Sequence, residues 1–129
     1  MDVELLHDML AVFLDGLHTD AEYRRKHSAM KGFVAPGALV YAVAEGLALA
    51  GTAHGTGLAF LQTDMDIKAP VLGGDTIHVQ IEVTEQRASS KGRGLVRTRN
   101  TVVNQRGETV MIYNPLRLMA GRPDASVAV

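Results

Sequence analysis

Two side chains near the start of the chain, His18 and Asp15, are of types that could share a water molecule. Histidine has an unperturbed pKa near ~6.5, so its imidazole can accept or release a proton near neutral pH. An imidazole and a carboxylate that hold one water can together provide general acid–base catalysis. Asp15 precedes His18 by three residues, so a tight turn would direct both at one site. The pattern also fits a solvated loop histidine, and an Asp that ends a helix beside Gly16.

A second candidate acid lies further along the chain. Glu45 is the only acidic residue in the apolar segment ALVYAVAEGLALAG. A carboxylate on a buried helix should have a raised pKa unless a basic group pairs with it, so Glu45 could act as a base or nucleophile. It could also be a helix-end residue whose carboxylate reaches solvent or a partner chain.

The third candidate is a basic stretch over residues 87–99, which contains no acidic residue. Its basic members are Arg87, Lys91, Arg93, Arg97 and Arg99. Guanidinium and ammonium groups bind phosphates, so this stretch could hold a phosphorylated ligand, or it could be a solvated hairpin. The net charge of the whole chain is −1, so we expect no nucleic-acid or anionic-membrane partner.

The composition excludes several kinds of site. The chain has 129 residues and no cysteine, which rules out disulfides, thiolate nucleophiles and cysteine-based metal sites. His7, His27, His54 and His78 lack metal-ligand spacing, and we expect neither a metal nor a separate cofactor. The acidic start MDVELLHDML and the lack of an apolar run of ~20 residues predict a cytoplasmic protein without a signal peptide or a membrane span.

Hydrophobic periodicity divides the chain into a helical first half and a β-rich second half. Pro36-Gly37 begins the longest apolar stretch, which predicts a buried helix of about 14 residues, roughly 21 Å long. Alternating apolar and polar residues then predict four strands, over residues 61–68, 77–84, 95–103 and 108–119. Pro115 lies inside the last strand and indicates an edge or a bulge. The tail over residues 121–129 is expected to be loose.

These elements predict a fold class. One long buried helix followed by an antiparallel meander is typical of an α+β protein. The sheet must bury one face, and only the apolar helix is long enough to cover it. An antiparallel sheet wrapped around one long central helix is the hotdog fold, and residues 1–129 fit a single domain of this kind.

Four segments of the sequence resemble the MaoC-like hydratases, a hotdog family, in their order and spacing. The segments are LHTDAEYRRKH, GFVAPGALV, KAPVLGGDTIHVQIEV and NTVVNQRGETV. The combination of PV, GDT and NQRGE is fairly specific, although each piece alone is weak. The resemblance implies an enoyl-CoA hydratase or dehydratase, which adds or removes water on an acyl thioester of CoA or acyl carrier protein.

The resemblance also assigns roles to residues near the start of the chain. The family's catalytic stretch usually reads Asp-x-Asn-Pro-(Ile/Leu)-His, and the matching residues here are FLDGLH. His18 falls on the family histidine, and Phe13, Asp15 and Gly16 occupy the Asp, Asn and Pro positions. His18 would then activate water, with Asp15 as its partner.

Gly37 matches the glycine at the start of the family's central helix. Its N–H would hold the thioester oxygen, because a residue without a side chain lets a carbonyl approach closely. A plain Pro-Gly helix start is the alternative. Pro36 replaces the histidine that commonly precedes this glycine, and it would contact the substrate without donating a hydrogen bond.

Further expectations come with the family. CoA carries several phosphates, so Arg87, Lys91 and Arg93 are the candidates to bind its nucleotide end. CoA or phosphopantetheine would be part of the substrate and not a cofactor. The family's strand before the first helix has no counterpart here, which predicts an irregular or shortened sheet. Exposed strand edges predict a homodimer.

Two other functions remain open at this point. Hotdog thioesterases carry an acidic residue about two turns into the central helix, as nucleophile or base, and Glu45 occupies that place. The other alternative is a non-catalytic hotdog subunit that binds acyl chains or completes a partner chain. Phe13 at the family's Asp position favours this last alternative.

Overall fold

The computed structural model describes residues 34–122, which form one helix and six strands. The helix α1 spans Gly37–Thr52, and the strands are β1 Gly57–Gln62, β2 Met65–Ile67, β3 Ile77–Ala88, β4 Arg93–Asn104, β5 Thr109–Tyr113 and β6 Leu116–Ala120. A short 3-10 turn, Ser90–Gly92, joins β3 to β4. The predictions about Phe13, Asp15, Gly16 and His18, the missing first strand and the tail beyond residue 122 lie outside the described residues.

The helix α1 begins and ends close to its predicted bounds. Pro36 is the N-cap residue, with φ −55° and ψ 141°, and its carbonyl accepts two backbone N–H groups of the first turn at 2.9 and 3.1 Å. Small residues on one face, Ala44 and Ala48, are buried and let the helix lie close to the sheet. The other face is less covered than the all-round apolar sequence predicts, since Leu47 and Leu49 are exposed.

The six strands form one antiparallel sheet. It has four lines of backbone, because β1 and β2 lie end to end and so do β5 and β6. β4 lies inside the sheet, with β3 paired along one edge and with β5 and β6 paired to the two halves of the other edge. β2 pairs with β5, and β1 pairs with β6. The predicted α+β arrangement, an antiparallel sheet on one central helix, is confirmed. The predicted count of four strands is wrong, because two of the predicted strands are each divided in two.

Proline and a local turn account for the two divisions. Pro115 has no N–H to donate and separates β5 from β6, while its carbonyl accepts the N–H of Thr98 in β4 at 3.2 Å. The line formed by β5 and β6 lies inside the sheet, so Pro115 marks an interruption and not an edge. β1 and β2 are divided at residues 63–64, where the Asn114 side chain donates to Asp64 Oδ1 at 2.7 Å.

The core is concentrated beside the first half of α1. It consists of Val40 and Ala44 from the helix with Val102, Val110, Met111 and Tyr113 from the sheet. On the apolar face of β3, Ile77 and Val79 contact this core, whereas Ile81 and Val83 are exposed. β3 therefore continues beyond the covered core toward its hairpin with β4.

Two kinds of feature are absent from residues 34–122. No helix in that range is both long and apolar enough to cross a membrane. Nor do three or more His, Asp or Glu side chains in the same range come together in a way that could hold a metal ion. His54 and His78, which fall within it, are both exposed.

Candidate functional site

A cavity of about 330 Å³ lies beside the first turn of α1. Its wall combines the segment before the helix, the first turn itself, the end of β2 with the residues that follow it (67–71), and the Val110-Met111 pair of β5. Most of these residues are apolar, and Lys68 is the one charged residue among those described. Pockets for small molecules usually exceed ~300 Å³ and are mainly apolar, so this cavity is large enough to hold a small ligand.

Gly37 contributes to this wall as the first residue of α1. No carbonyl among residues 34–122 accepts its backbone N–H. The N–H groups of a first helical turn lie at the positive end of the helix dipole, which suits a carbonyl oxygen or an anion. A Cβ at this position would meet Cδ1 of Ile67, the far end of an exposed side chain that can move aside. Both predicted roles of Gly37, a helix start and a donor, are compatible with this geometry.

The segment before α1 is fixed by the connection between β2 and β3. The Ala35 N–H donates to the Val71 carbonyl at 2.8 Å, and Val34 forms an antiparallel bridge with Leu72. Pro36 follows this bridge and caps the helix. Pro36 does not line the cavity, although the residues on either side of it do.

Glu45 lies two turns further along α1, and its carboxylate is bound inside the protein. Both terminal nitrogens of Arg117, from β6, lie 2.6 Å from Glu45 Oε1. Only 13% of the Glu45 side chain and 8% of the Arg117 side chain is exposed. The second oxygen, Oε2, is also buried and has no hydrogen-bond partner among the described residues. One oxygen of this carboxylate is therefore already bound, and the other is closed off from solvent.

The ion pair belongs to a larger buried polar cluster, formed by Glu45, Arg117, Tyr113 and Asn100. The Tyr113 hydroxyl and the Asn100 Nδ2 atom are buried and have no hydrogen bond of good geometry among the described residues. Burial raises the pKa of Tyr113 well above its usual value; the Asn100 side chain lowers it and the Glu45 carboxylate raises it further. The ring of Tyr41 meets that of Tyr113 edge-on, with centroids 5.2 Å apart. The cluster therefore lies between the helix and the sheet, and Asn100 and Arg117 also border a cavity of about 210 Å³.

Arg117 is the partner of Glu45 that sequence analysis missed. The alternation of Leu116, Arg117 and Leu118 assigns the leucines to the core and the arginine to solvent, but Arg117 is buried. One signal was present in the sequence, because a lone acid in an apolar helix requires a basic partner. That signal does not say which arginine supplies the partner.

The predicted phosphate-binding residues lie at the hairpin between β3 and β4. Arg87 and Arg93 line a groove of about 340 Å³, and Lys91 stands at the tip with φ 61°. The Arg93 guanidinium donates to the carbonyl and hydroxyl oxygens of Ser90 at 3.1 and 3.2 Å. Glu85, just outside the stretch without acids, lies 3.7 Å from Arg87. Part of the positive charge of this hairpin is therefore balanced within the chain.

The hairpin and the cavity lie at opposite ends of β3. Ile77, at one end, borders the first turns of α1, and Arg87 lies ten residues further along the strand. Ten extended residues span about 33 Å at ~3.3 Å each. Within one chain, the structure therefore does not bring Arg87, Lys91 and Arg93 near Gly37.

Three solved structures resemble this chain along most of its length. A monoamine oxidase regulatory protein from Archaeoglobus fulgius is 29% identical, with a TM-score of 0.71 over 92% of this chain and 80% of that one. A MaoC-like dehydratase from Rhodospirillum rubrum is 27% identical, with a TM-score of 0.68 over 81% of this chain and 73% of its own. The R-hydratase PhaJ1 from Pseudomonas aeruginosa is 27% identical, with a TM-score of 0.63 over 90% of this chain and 72% of its own. No family model matches the sequence, and no curated protein does.

The structural matches agree with the resemblance found in the sequence. They extend over at least 81% of this chain, and two of the three matched proteins are named as a MaoC-like dehydratase and an R-hydratase. The helix and antiparallel sheet described above have the arrangement expected of a hotdog domain. The chain therefore has the hotdog fold, and it resembles the MaoC-like proteins among these structures.

Proposed function

We propose that this protein is an enoyl-thioester hydratase or dehydratase, which adds or removes water on an acyl group carried by CoA or acyl carrier protein. The observation that carries the proposal is the cavity at the start of α1, where an apolar wall meets the N–H of Gly37. The dehydratase and the R-hydratase among the structural relatives support the class of reaction.

Hydration of an enoyl thioester requires an acid–base group and a group that stabilises negative charge. Water loses a proton as its oxygen bonds to the β-carbon, and the α-carbon gains a proton. As the new bond forms, the thioester oxygen takes on enolate charge. The N–H of Gly37, at the positive end of α1, would stabilise that charge. His18 would accept the water proton and deliver a proton to the α-carbon, with Asp15 as its partner.

The apolar part of the cavity wall would hold the acyl chain beyond the reacting carbons. Val40, Ile67, Val71 and Met111 contribute to that wall. Each CH₂ group that leaves water for such a surface stabilises the complex by about 0.8 kcal/mol. An acyl chain placed there would bring its thioester carbonyl close to the first turn of α1.

The state of Glu45 favours hydration over thioester hydrolysis. A thioesterase acid must reach the thioester carbon or a water beside it. The Glu45 carboxylate is buried and bound to Arg117, so it is poorly placed for either task. The buried pair is better suited to holding α1 against β6.

We also propose that the protein is a homodimer in the cytoplasm. The outer edge of β3 pairs with no strand among residues 34–122, and proteins normally cover such edges. Because the basic hairpin is far from the cavity of its own chain, it can meet bound CoA only if a second copy presents it. Sedimentation should give a dimer, and a clean monomer at micromolar concentration would contradict this assembly.

Hydration of crotonyl-CoA, followed by the loss of its enoyl absorbance, tests the proposed reaction. A parallel assay for free thiol detects hydrolysis of the same substrate. We expect hydration without thiol release. Thiol release without hydration would favour a thioesterase. Binding of the substrate with neither reaction would favour a non-catalytic subunit.

A further inference from the structure

The Asp75 carboxylate is buried in the connection between β2 and β3 and accepts three hydrogen bonds. The Leu72 N–H donates to Asp75 Oδ2 at 3.0 Å. The other oxygen, Oδ1, accepts from Gln105 Nε2 at 2.7 Å and from Arg106 Nη1 at 3.4 Å. Only 7% of the Asp75 side chain is exposed. Acidic side chains are seldom buried to this extent unless they are paired, so these bonds define its position.

The side-chain partners of Asp75 come from the turn between β4 and β5. Asn104 stabilises this turn, since its Oδ1 accepts two backbone N–H groups of the turn at 2.9 and 3.1 Å. Gln105 binds the connection twice, because its Nε2 donates to Asp75 while its Oε1 accepts the Thr76 N–H at 3.0 Å. The connection is therefore attached to the sheet through side chains about 30 residues away in sequence.

The same connection holds the start of α1. Leu72, whose N–H is bound by Asp75, forms the bridge with Val34. The neighbouring carbonyl of Val71 accepts the Ala35 N–H at 2.8 Å. Two residues later the chain begins α1 at the glycine that lines the cavity. Hydrogen bonds and the short backbone segments between them thus link the β4–β5 turn, through the Asp75 carboxylate, to Ala35, two residues before α1.

We propose that Asp75 is a positioning residue that fixes the direction of the Gly37 N–H at the substrate cavity. This inference rests on the proposed hydratase function. The GDT motif that contains Asp75 takes no other part in the proposed reaction. Without the carboxylate, the connection keeps only the Thr76–Gln105 hydrogen bond to the β4–β5 turn, so the segment before α1 is held less firmly and the Gly37 N–H is aligned with the thioester oxygen for less of the time. Alignment matters most in the transition state, so kcat should fall more than KM rises.

The test compares Asp75→Ala with Glu108→Gln as a matched control. Glu108 pairs with Arg106 at 3.0 Å in the same turn but makes no bond to Asp75. In Asp75→Ala, kcat for crotonyl-CoA should fall about tenfold while KM changes by less than about threefold. Amide hydrogen exchange at Ala35 should accelerate by about tenfold, with little change in the centre of β4. The control should change neither quantity.

Several outcomes would overturn the positioning role. They are unchanged exchange at Ala35, equal acceleration throughout β4, or a rise in KM with kcat preserved. If Asp75→Ala does not fold, Asp75→Asn is measured in its place, since it keeps the shape and removes the charge. If the wild type hydrates no enoyl thioester, the proposed function fails separately. In that case the role of Asp75 is decided by comparing Asp75→Ala with the wild type in two measurements, the amide exchange at Ala35 and the affinity for butyryl-CoA.

Discussion

At its first turn α1 presents Gly37 to a cavity, and two turns later it presents Glu45 to Arg117. The first group is a backbone N–H for which no carbonyl among residues 34–122 is an acceptor, next to space for a ligand. The second is a carboxylate already bound by a guanidinium and enclosed by the sheet. By residue type, the acid is the more reactive group. By environment, the glycine is better placed for catalysis, because a catalytic group must be free to contact the substrate.

The two regions also differ in what their loss should affect. Removing one member of a buried ion pair leaves the other charged and desolvated, which destabilises the folded state. Removing a donor at the cavity reduces the stabilisation of the transition state and leaves the packing of the core intact. Variants of the two regions should therefore separate stability from activity.

The largest effect is expected for the ion pair. Glu45→Ala leaves the Arg117 guanidinium buried without its partner, which should lower the free energy of unfolding by about 3–5 kcal/mol. Chemical denaturation measures this change. The double variant Glu45→Leu with Arg117→Met should recover most of the loss, since it removes both charges. A change below about 1 kcal/mol in Glu45→Ala would show that the pair is not structural.

At the cavity, Gly37→Pro removes the N–H while keeping a residue that suits the first position of a helix. Gly37→Ala is the matched control, because it adds a similar Cβ beside Ile67 but retains the N–H. The proline variant should hydrate crotonyl-CoA about 10²–10³-fold more slowly than the alanine variant, as for loss of an oxyanion donor. Equal rates in the two variants would exclude this N–H from the reaction.

The acid–base half of the proposed site can be tested in the same assay. His18→Ala should lower kcat for hydration by ~10² or more, because a general base acts on the transition state. Its free energy of unfolding should change by less than about 1 kcal/mol. Asp15→Asn should also lower kcat. Wild-type hydration by His18→Ala would rule out this histidine as the base, and full activity in Asp15→Asn would assign the carboxylate role to another residue.

The connection that holds the start of α1 should depend on pH. Hydrogen bonds from Gln105 and from the Leu72 N–H, with the charge of Arg106, lower the pKa of Asp75, although burial opposes them. Its stabilisation is therefore fully present above the unfolded pKa near ~3.9 and is lost as the pH falls through the lower folded value. The stability difference between wild type and Asp75→Asn should shrink below about pH 4. Urea unfolding at several pH values checks this, and a constant difference down to about pH 2 would contradict it.

The smallest effect is expected at the basic hairpin. Replacing Arg87, Lys91 and Arg93 by alanine should raise KM for crotonyl-CoA several-fold and leave kcat unchanged, because exposed charge pairs contribute little each. The same enoyl group on pantetheine, which lacks the nucleotide phosphates, is the control substrate and should show no change. An equal rise in KM for both substrates would exclude phosphate binding by this hairpin.

Local patterns in the sequence predicted the main elements of this fold. The apolar run after Pro36 predicted α1 to within a residue or two, and period-two alternation predicted the lines of the sheet. These predictions succeed because helix and strand periodicity depend on near neighbours in the chain. The family resemblance depends on the order of short motifs, which the sequence also contains.

Only the tertiary structure decided which residues meet. Arg117 is buried against Glu45, 72 positions away, although its strand pattern assigns it to solvent. Asp75 is bound by Gln105, 30 positions away, and the basic hairpin lies far from Gly37. A local pattern gives the periodicity of a strand, but it does not give the face that will be covered or the residue that will lie opposite. Those depend on how α1 and the strands pack together, which is fixed by contacts between distant parts of the chain.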